Sequence, residues 1–227
     1  ERMRIDSGGS VIIGIGGTSG TPAADYRSLE IGRQGNTITG APWKSNLYFS
    51  TNATITAGST AFTYRYASEL PTKMIMEDGF WTFSNAVAGT VGSTISFTER
   101  MRIDSSGSFG LGIVPKASGT AWVNAQFGQA TNIVSRKGAS ANAIYSNNFY
   151  IDSASADKRI IAGESNRLFL DGATTRFQYA GTGAANSVVS WSESMRIDSS
   201  GNVGIGTTSP TYPLEVAKNT TNNFTHK

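Results

Sequence analysis

The chain has 227 residues, of which 38% are hydrophobic and 26 are glycine, and its formal net charge is +3. It contains no cysteine, which excludes disulfides, thiolate metal sites and a cysteine nucleophile. Its basic residues are scattered, with no run longer than pairs such as Arg136-Lys137, so we predict no nucleic-acid partner.

The apolar content is too low for one copy of the chain to bury much surface by itself. Contacts with identical chains would supply the missing burial, so we expect an oligomer. No apolar run approaches the roughly 20 residues of a transmembrane helix, and we expect no membrane insertion. The sequence begins inside a motif and ends soon after another copy of it, so we interpret it as a piece of a longer polypeptide.

A seven-residue motif opens the chain and returns twice. ERMRIDS stands at 1–7 and at 99–105, and ESMRIDS stands at 193–199. This period predicts a repeat array. Residues 1–22 would end a preceding repeat, 23–115 and 116–210 would be full units that each end in a motif, and 211–227 would begin the next segment.

Each motif copy predicts a β-hairpin. In the middle copy, Glu99, Met101 and Ile103 would share one face, and the charged residues between them would share the other. A turn follows in which Gly107 is free to take positive φ, and apolar residues then alternate with glycines. A proline would end each hairpin, at Pro22, Pro115 and Pro210.

Short apolar runs separated by Gly, Ser, Asn and Thr fill the sequence between the motifs, which predicts an all-β fold. Several runs have parallels in the other unit. We pair 29–32 with 125–128, 46–49 with 147–150, and 73–76 with 167–170.

The residues MRIDSSGNVGIGTTSP at 195–210 are similar to a repeat found near the distal parts of bacteriophage tail fibres and related virion-attached fibre proteins. The resemblance implies an elongated, parallel homotrimer of β-rich units with interleaved strands, located in the virion tail outside the cell. The implied partners are two identical chains, other virion tail proteins, and a glycan or protein of the host surface. In that family the motif often precedes a C-terminal chaperone domain.

On this interpretation, the apolar motif residues of three chains meet near one axis and each hairpin is a clamp along a shaft. The predicted trimer-core residues are Met3, Ile5, Met101, Ile103, Phe109, Leu111, Met195, Ile197, Val203 and Ile205. The glycines predicted to form turns or to let backbones approach are Gly9, Gly107, Gly110, Gly112, Gly201, Gly204 and Gly206.

Residues suited to catalysis are few. His226 is the only histidine, so we predict no catalytic residue, cofactor or metal. The acid pairs of a depolymerase would be Glu77 with Asp78, Asp152 with Asp157, or Glu164 with Asp171, but these acids lie beside turns, where Asp bonds the backbone.

Aromatic residues are mostly expected in the core, and Trp43, in a polar loop, is our candidate glycan contact. We predict that Asp104 and Asp198 end a strand and pair with arginine across it. The sequence therefore predicts a structural, non-enzymatic segment of a viral tail fibre. The alternatives are a trimeric bacterial surface adhesin and a trimeric polysaccharide depolymerase.

Overall fold

The computed structural model describes residues 3–5, 11–13, 27–31, 35–40, 45–55, 61–138 and 142–217. Those residues form strands and turns and contain no helix, so the all-β prediction is confirmed for them. The chain divides into two compact units, Glu1–Ser105 and Ser106–Lys227, and the middle motif therefore contributes one strand to each. The predicted boundaries at residues 22, 115 and 210 stay a prediction.

The described part of the first unit has ten strands. They are β1 (Met3–Ile5), β2 (Val11–Ile13), β3 (Arg27–Ile31), β4 (Thr37–Gly40), β5 (Asn46–Thr51), β6 (Ala53–Ile55), β7 (Phe62–Tyr64), β8 (Thr72–Glu77), β9 (Phe80–Asn85) and β10 (Thr98–Ile103). Eight form a sheet in the order β1, β2, β3, β4, β5, β8, β9 and β10. The β2–β3 pairing is parallel and the others are antiparallel. β6 and β7 form a separate small ladder.

The second unit has eleven strands among its described residues. They are β11 (Phe109–Leu111), β12 (Trp122–Phe127), β13 (Thr131–Arg136), β14 (Asn142–Asn147), β15 (Tyr150–Ile151), β16 (Asp157–Lys158), β17 (Gly163–Asp171), β18 (Thr174–Gly183), β19 (Ser192–Ile197), β20 (Val203–Ile205) and β21 (Leu214–Val216). The sheet order is β11, β12, β13, β14, β17, β18, β19, β20 and β21, and the first and last pairings are parallel. β15 and β16 form the small ladder.

The two units use the same sequence of pairings. A motif strand pairs in parallel with the next strand, an antiparallel meander follows, and a small ladder interrupts the meander after its third strand. The register makes Phe49 equivalent to Tyr145, because Phe49 pairs with Met74 and Tyr145 pairs with Leu168. The predicted parallel between 46–49 and 147–150 is therefore wrong, and the true counterpart of 46–49 is 142–145.

Each small ladder covers one face of its sheet and forms the core there. In the first unit, Tyr48 of the sheet meets Phe62 of the ladder edge to face, with ring centroids 5.6 Å apart. In the second unit, Phe149 precedes the ladder and packs edge to face against Trp191 at 5.4 Å. The apolar core is thus confined to the covered side, because the ladder is the only layer that packs there among the described residues.

An asparagine holds the chain at the entry to each ladder. Asn52 has φ 51°, and its amide Nδ2 donates to the carbonyls of Tyr66 and Glu69 at 2.9 and 2.7 Å. Its Oδ1 accepts from the backbone N–H groups of Arg65 and Tyr66. Asn148 has the same φ, its Nδ2 donates to the carbonyl of Glu164, and its Oδ1 accepts from the backbone N–H of Ile161. Asparagine suits this position because it tolerates positive φ and offers both a donor and an acceptor.

We expect Asn52→Ala to lower the free energy of unfolding by about 3 kcal/mol, because it leaves buried backbone groups unpaired and places alanine at a positive φ that asparagine tolerates better. Asn52→Gly removes the same bonds without the φ strain and should cost about 1 kcal/mol less. Urea unfolding followed by tryptophan fluorescence measures both. Ser68→Ala, at an exposed position of the same loop, is the control and should stay within about 0.5 kcal/mol of the parent.

Candidate functional site

A row of apolar side chains crosses the uncovered face of the first sheet, one from each strand. The strand registers align Ile5, Val11, Leu29, Ile38, Phe49, Met74, Phe83 and Met101. None of these side chains is buried. We call this set the first row, and the sheet face that carries it the open face of the unit.

The second unit repeats the arrangement. Its second row consists of Phe109, Ala125, Ile133, Tyr145, Leu168, Phe177, Met195, Ile205 and Val216. None of these is buried, and Tyr145 and Phe177 are 50% and 41% exposed. Side chains along a strand alternate between faces, so each row continues into flanking residues two positions away on the same strands.

Both units have a groove on the open face at equivalent positions. The groove of the first unit has a volume of about 540 Å³, with Phe49, Met74 and Phe83 among its lining residues. The groove of the second unit has a volume of about 430 Å³ and is lined by the equivalent residues Tyr145, Leu168 and Phe177.

The open face of the first sheet is more apolar than an isolated soluble sheet allows. Its covered face carries small polar residues that are buried: Thr37, Thr39, Ser50, Thr82 and Ser84. Its open face carries the larger apolar residues of the first row. An antiparallel sheet with one face in water normally turns its polar side outward. The open face is therefore an apolar surface that the described residues leave uncovered, and surfaces of this kind are typical of interaction sites.

A partly buried cation lies under each sheet. The ammonium of Lys73 is 4.4 Å from the ring centroid of Phe97 and 4.9 Å from that of Phe62. At the equivalent position, the guanidinium of Arg167 is 4.2 Å from the Trp191 ring. Aromatic faces attract cations through their quadrupole, which offsets part of the desolvation cost. Burial still lowers the pKa of both Lys73 and Arg167 from their ordinary values.

Asp157 neutralises the cation of the second unit. Its Oδ2 accepts from Arg167 Nη1 at 2.8 Å and from the indole Nε1 of Trp191 at 2.7 Å. The Arg167 side chain is only 8% exposed, so the pair lies largely out of water. Asp157, one of the acids considered for a depolymerase, thus has a structural role in holding the core against the sheet.

The motif strand contains a bulge that shifts the side chains after it to the opposite face of the sheet. In β10 the register shifts between Glu99 and Met101, so that Glu99 lies opposite Ser84 and Met101 opposite Phe83. The prediction that Glu99 shares a face with Met101 is therefore wrong, because the extra residue, Arg100, reverses the alternation. Glu99 instead lies beside Arg102 on the covered face and accepts from its Nε and Nη2 at 2.8 and 2.7 Å.

The third motif copy has the same construction. Glu193 accepts two hydrogen bonds from Arg196, and Asp198 attracts the same arginine only through its charge. Asp198 instead accepts from the backbone N–H groups of Ser200 and Asn202, each at 2.9 Å. The bond from Asn202 is the main reason that the pKa of Asp198 lies below its ordinary value. Asp198 therefore closes the turn between the hairpin strands.

The motif glycines serve two purposes within the chain. Gly107, Gly112, Gly201 and Gly206 have positive φ, as turns require. A Cβ on Gly110 would lie 2.2 Å from the carbonyl oxygen of Ile113 and 2.7 Å from Pro115. Gly110 thus makes room for its own downstream segment, and its predicted role in the close approach of neighbouring chains stays a prediction.

All ten predicted trimer-core residues lie on the open faces, and none is buried. Met3, Ile5 and Ile103 are 62%, 65% and 40% exposed, and Leu111 and Ile205 are 45% and 41% exposed. The first and third motif copies form antiparallel hairpins, in which Met3 pairs with Ile13 and Met195 with Ile205. The structure thus brings the predicted residues of each unit to one surface.

The other candidates are dispersed. Gly9, Trp43 and His226 lie outside the described residues. Asp152 accepts from the N–H groups of Ala154 and Ala156 in a turn, and Asp171 pairs with Arg176. Tyr48, Tyr64 and Tyr150 are buried as expected, but Trp81 and Tyr145 are half exposed on the open faces.

The rows between the motifs were missed by the sequence analysis. Their signal was present in runs such as Lys73-Met74-Ile75-Met76, where several apolar residues follow one another. Such a run does not reveal which of its alternate positions faces the core. Strand register decided this, because it placed Ile75 on the covered face and Met74 in the first row.

Comparison with protein-family models found no match, and comparison with curated proteins found none either. Among the described residues, no group of three or more His, Cys, Asp or Glu side chains is arranged to hold a metal ion. Within the same residues, no helix has the length and apolar character to cross a membrane.

We expect Asp157→Ala to lower the free energy of unfolding by about 3 to 5 kcal/mol, because it leaves Arg167 buried without a counter-charge. Replacing Arg167 by Met in the same chain should recover part of this loss, since the unpaired charge is then removed. Denaturant titration of each variant provides the measurement. Asp171→Ala is the control, because the Asp171 side chain is 44% exposed and its ion pair should contribute less than about 1 kcal/mol.

Proposed function

We propose that this chain is a structural segment of a viral tail fibre, in which three identical chains run in parallel and extend the adsorption apparatus of the virion. The observation that carries the proposal is the polarity of the sheets. A row of large apolar residues crosses the open face of the first unit, and all ten predicted trimer-core residues lie on the open faces of the two units.

The energetics support assembly. Covering one exposed apolar side chain contributes about 1.5 to 3 kcal/mol, and three copies of each motif would bring several such residues together. A single domain has a net stability of about 5 to 15 kcal/mol. The apolar contacts between three chains would therefore contribute most of the stability of the fibre. Interleaving of strands between chains stays a prediction, as do the other virion tail proteins and the host glycan or protein as partners.

The placement of the acids supports a structural function over a depolymerase. Asp152 orders a turn, Asp157 neutralises Arg167, and Asp171 pairs with Arg176. Each of these carboxylates already stabilises the fold. No observation of the described residues favours the adhesin or the depolymerase over the fibre.

We expect sedimentation equilibrium to give a mass near three times 24.0 kDa, and Ile103→Asp to reduce it towards a single chain. Ile103 is already 40% exposed in one chain, so an aspartate there should leave the fold intact while placing three like charges close together. Val87→Asp, at a 77% exposed loop position, is the control and should keep the parent mass. A parent mass near 24.0 kDa, or an Ile103→Asp variant that remains trimeric, contradicts the proposal.

The location in the virion has its own test. An antibody raised against the purified chain should label the tail of intact virions in electron micrographs and should inhibit adsorption to host cells. Labelling of the capsid alone, or of the producing cell's surface without virions, would argue against a tail fibre. The second result would favour the adhesin.

A further inference from the structure

The apolar surface of the second unit extends well beyond the motif. Ten large apolar residues of its open face are between 36% and 66% exposed: Leu111, Phe127, Ile133, Tyr145, Phe177, Tyr179, Ile197, Ile205, Leu214 and Val216. Together they present on the order of 800 Å² to solvent, which is about what one partner contributes to a stable protein interface. Seven of these ten residues come from strands outside the motif hairpins.

The two rows contain no charged residue. In a symmetric assembly, a residue near the axis faces its own copies, and like charges placed opposite one another are destabilising. A partner of different sequence would impose no such restriction, since it can supply complementary charges. A row of eight or nine residues without a charge is therefore best suited to contact with a second copy of itself.

The geometry of the rows is suited to contact between equivalent rows of neighbouring copies. Each row takes one residue from every successive strand, and neighbouring strands are about 4.8 Å apart. Copies placed in register would align every row residue with its equivalents. A shift by one strand would place Ala125 of one copy at the level of Ile133 of another, and such mismatched volumes would leave gaps.

We propose that the first and second rows are the surfaces by which copies of this chain pack against one another, in parallel and in register, over the whole breadth of each sheet. The inference rests on the proposed trimer and extends it, because the contact then includes the meander strands in addition to the motif clamps. The partner is a second copy of this chain, and its equivalent row residues are the nearest neighbours.

Cysteine scanning tests this directly, because the chain has no cysteine of its own. Ile38→Cys in the first row and Ile133→Cys in the second row should each form a disulfide between chains on mild oxidation of the purified full chain. A disulfide requires Cα atoms within about 7 Å, so it reports that equivalent residues are adjacent. Val87→Cys and Val188→Cys, at loop positions 77% and 60% exposed, are matched controls and should remain monomeric on non-reducing gels.

A second measurement covers the case in which the introduced thiols are poorly oriented. Phe177→Asp should lower the temperature at which the trimer dissociates, while Val188→Asp should not change it. Phe177 is 41% exposed in one chain, so the aspartate should not disturb the covered core.

The outcomes separate the two proposals. If the unmodified chain is a trimer but the row cysteines stay free and Phe177→Asp dissociates like the parent, the rows do not form the interface, and the inference is wrong while the trimer stands. If the unmodified chain is a monomer, the proposed function fails with it. Disulfides at Val87→Cys equal to those at Ile38→Cys would indicate random collision and would also overturn the inference.

Discussion

The covering of one sheet face by a small ladder is the constraint on which the rest of this structure depends. Each ladder packs its aromatic and aliphatic side chains against the sheet, as Phe62 does against Tyr48. Only one such layer is present for each sheet in the part of the chain that the structure describes. The open face is consequently left with its apolar row, and the proposed assembly is the means of covering it.

The same layer explains why cations lie in the core. Lys73 and Arg167 occupy equivalent strand positions on the covered face, beneath Phe97 and Trp191, the aromatic rings that precede β10 and β19. The units compensate the buried charge differently: aromatic contacts surround Lys73, whereas Arg167 also has the carboxylate of Asp157. A glycine also makes room for the side chain of another arginine, Arg159. A Cβ on Gly183 would lie 2.6 Å from the guanidinium carbon of Arg159.

Some features of the candidate site were predictable from the motif because they depend on local chemistry. Gly201 takes positive φ and Asp198 closes its turn, as their residue types favour. The position of Glu99 was not predictable in this way, because a single-residue bulge at Arg100 reverses the alternation of faces. The rows between the motifs likewise depend on register, which a run of consecutive apolar residues does not specify.

The sequence by itself determined that the described residues are all-β, that the chain contains three copies of one motif, and which motif residues are apolar. Those properties follow from residue type and a two-residue period, which act over a few neighbouring positions. Only the tertiary structure decided which face of each sheet the ladder covers and which residues from distant strands align in a row. These depend on pairings between segments far apart in the chain, such as Phe49 with Met74 and Tyr145 with Leu168.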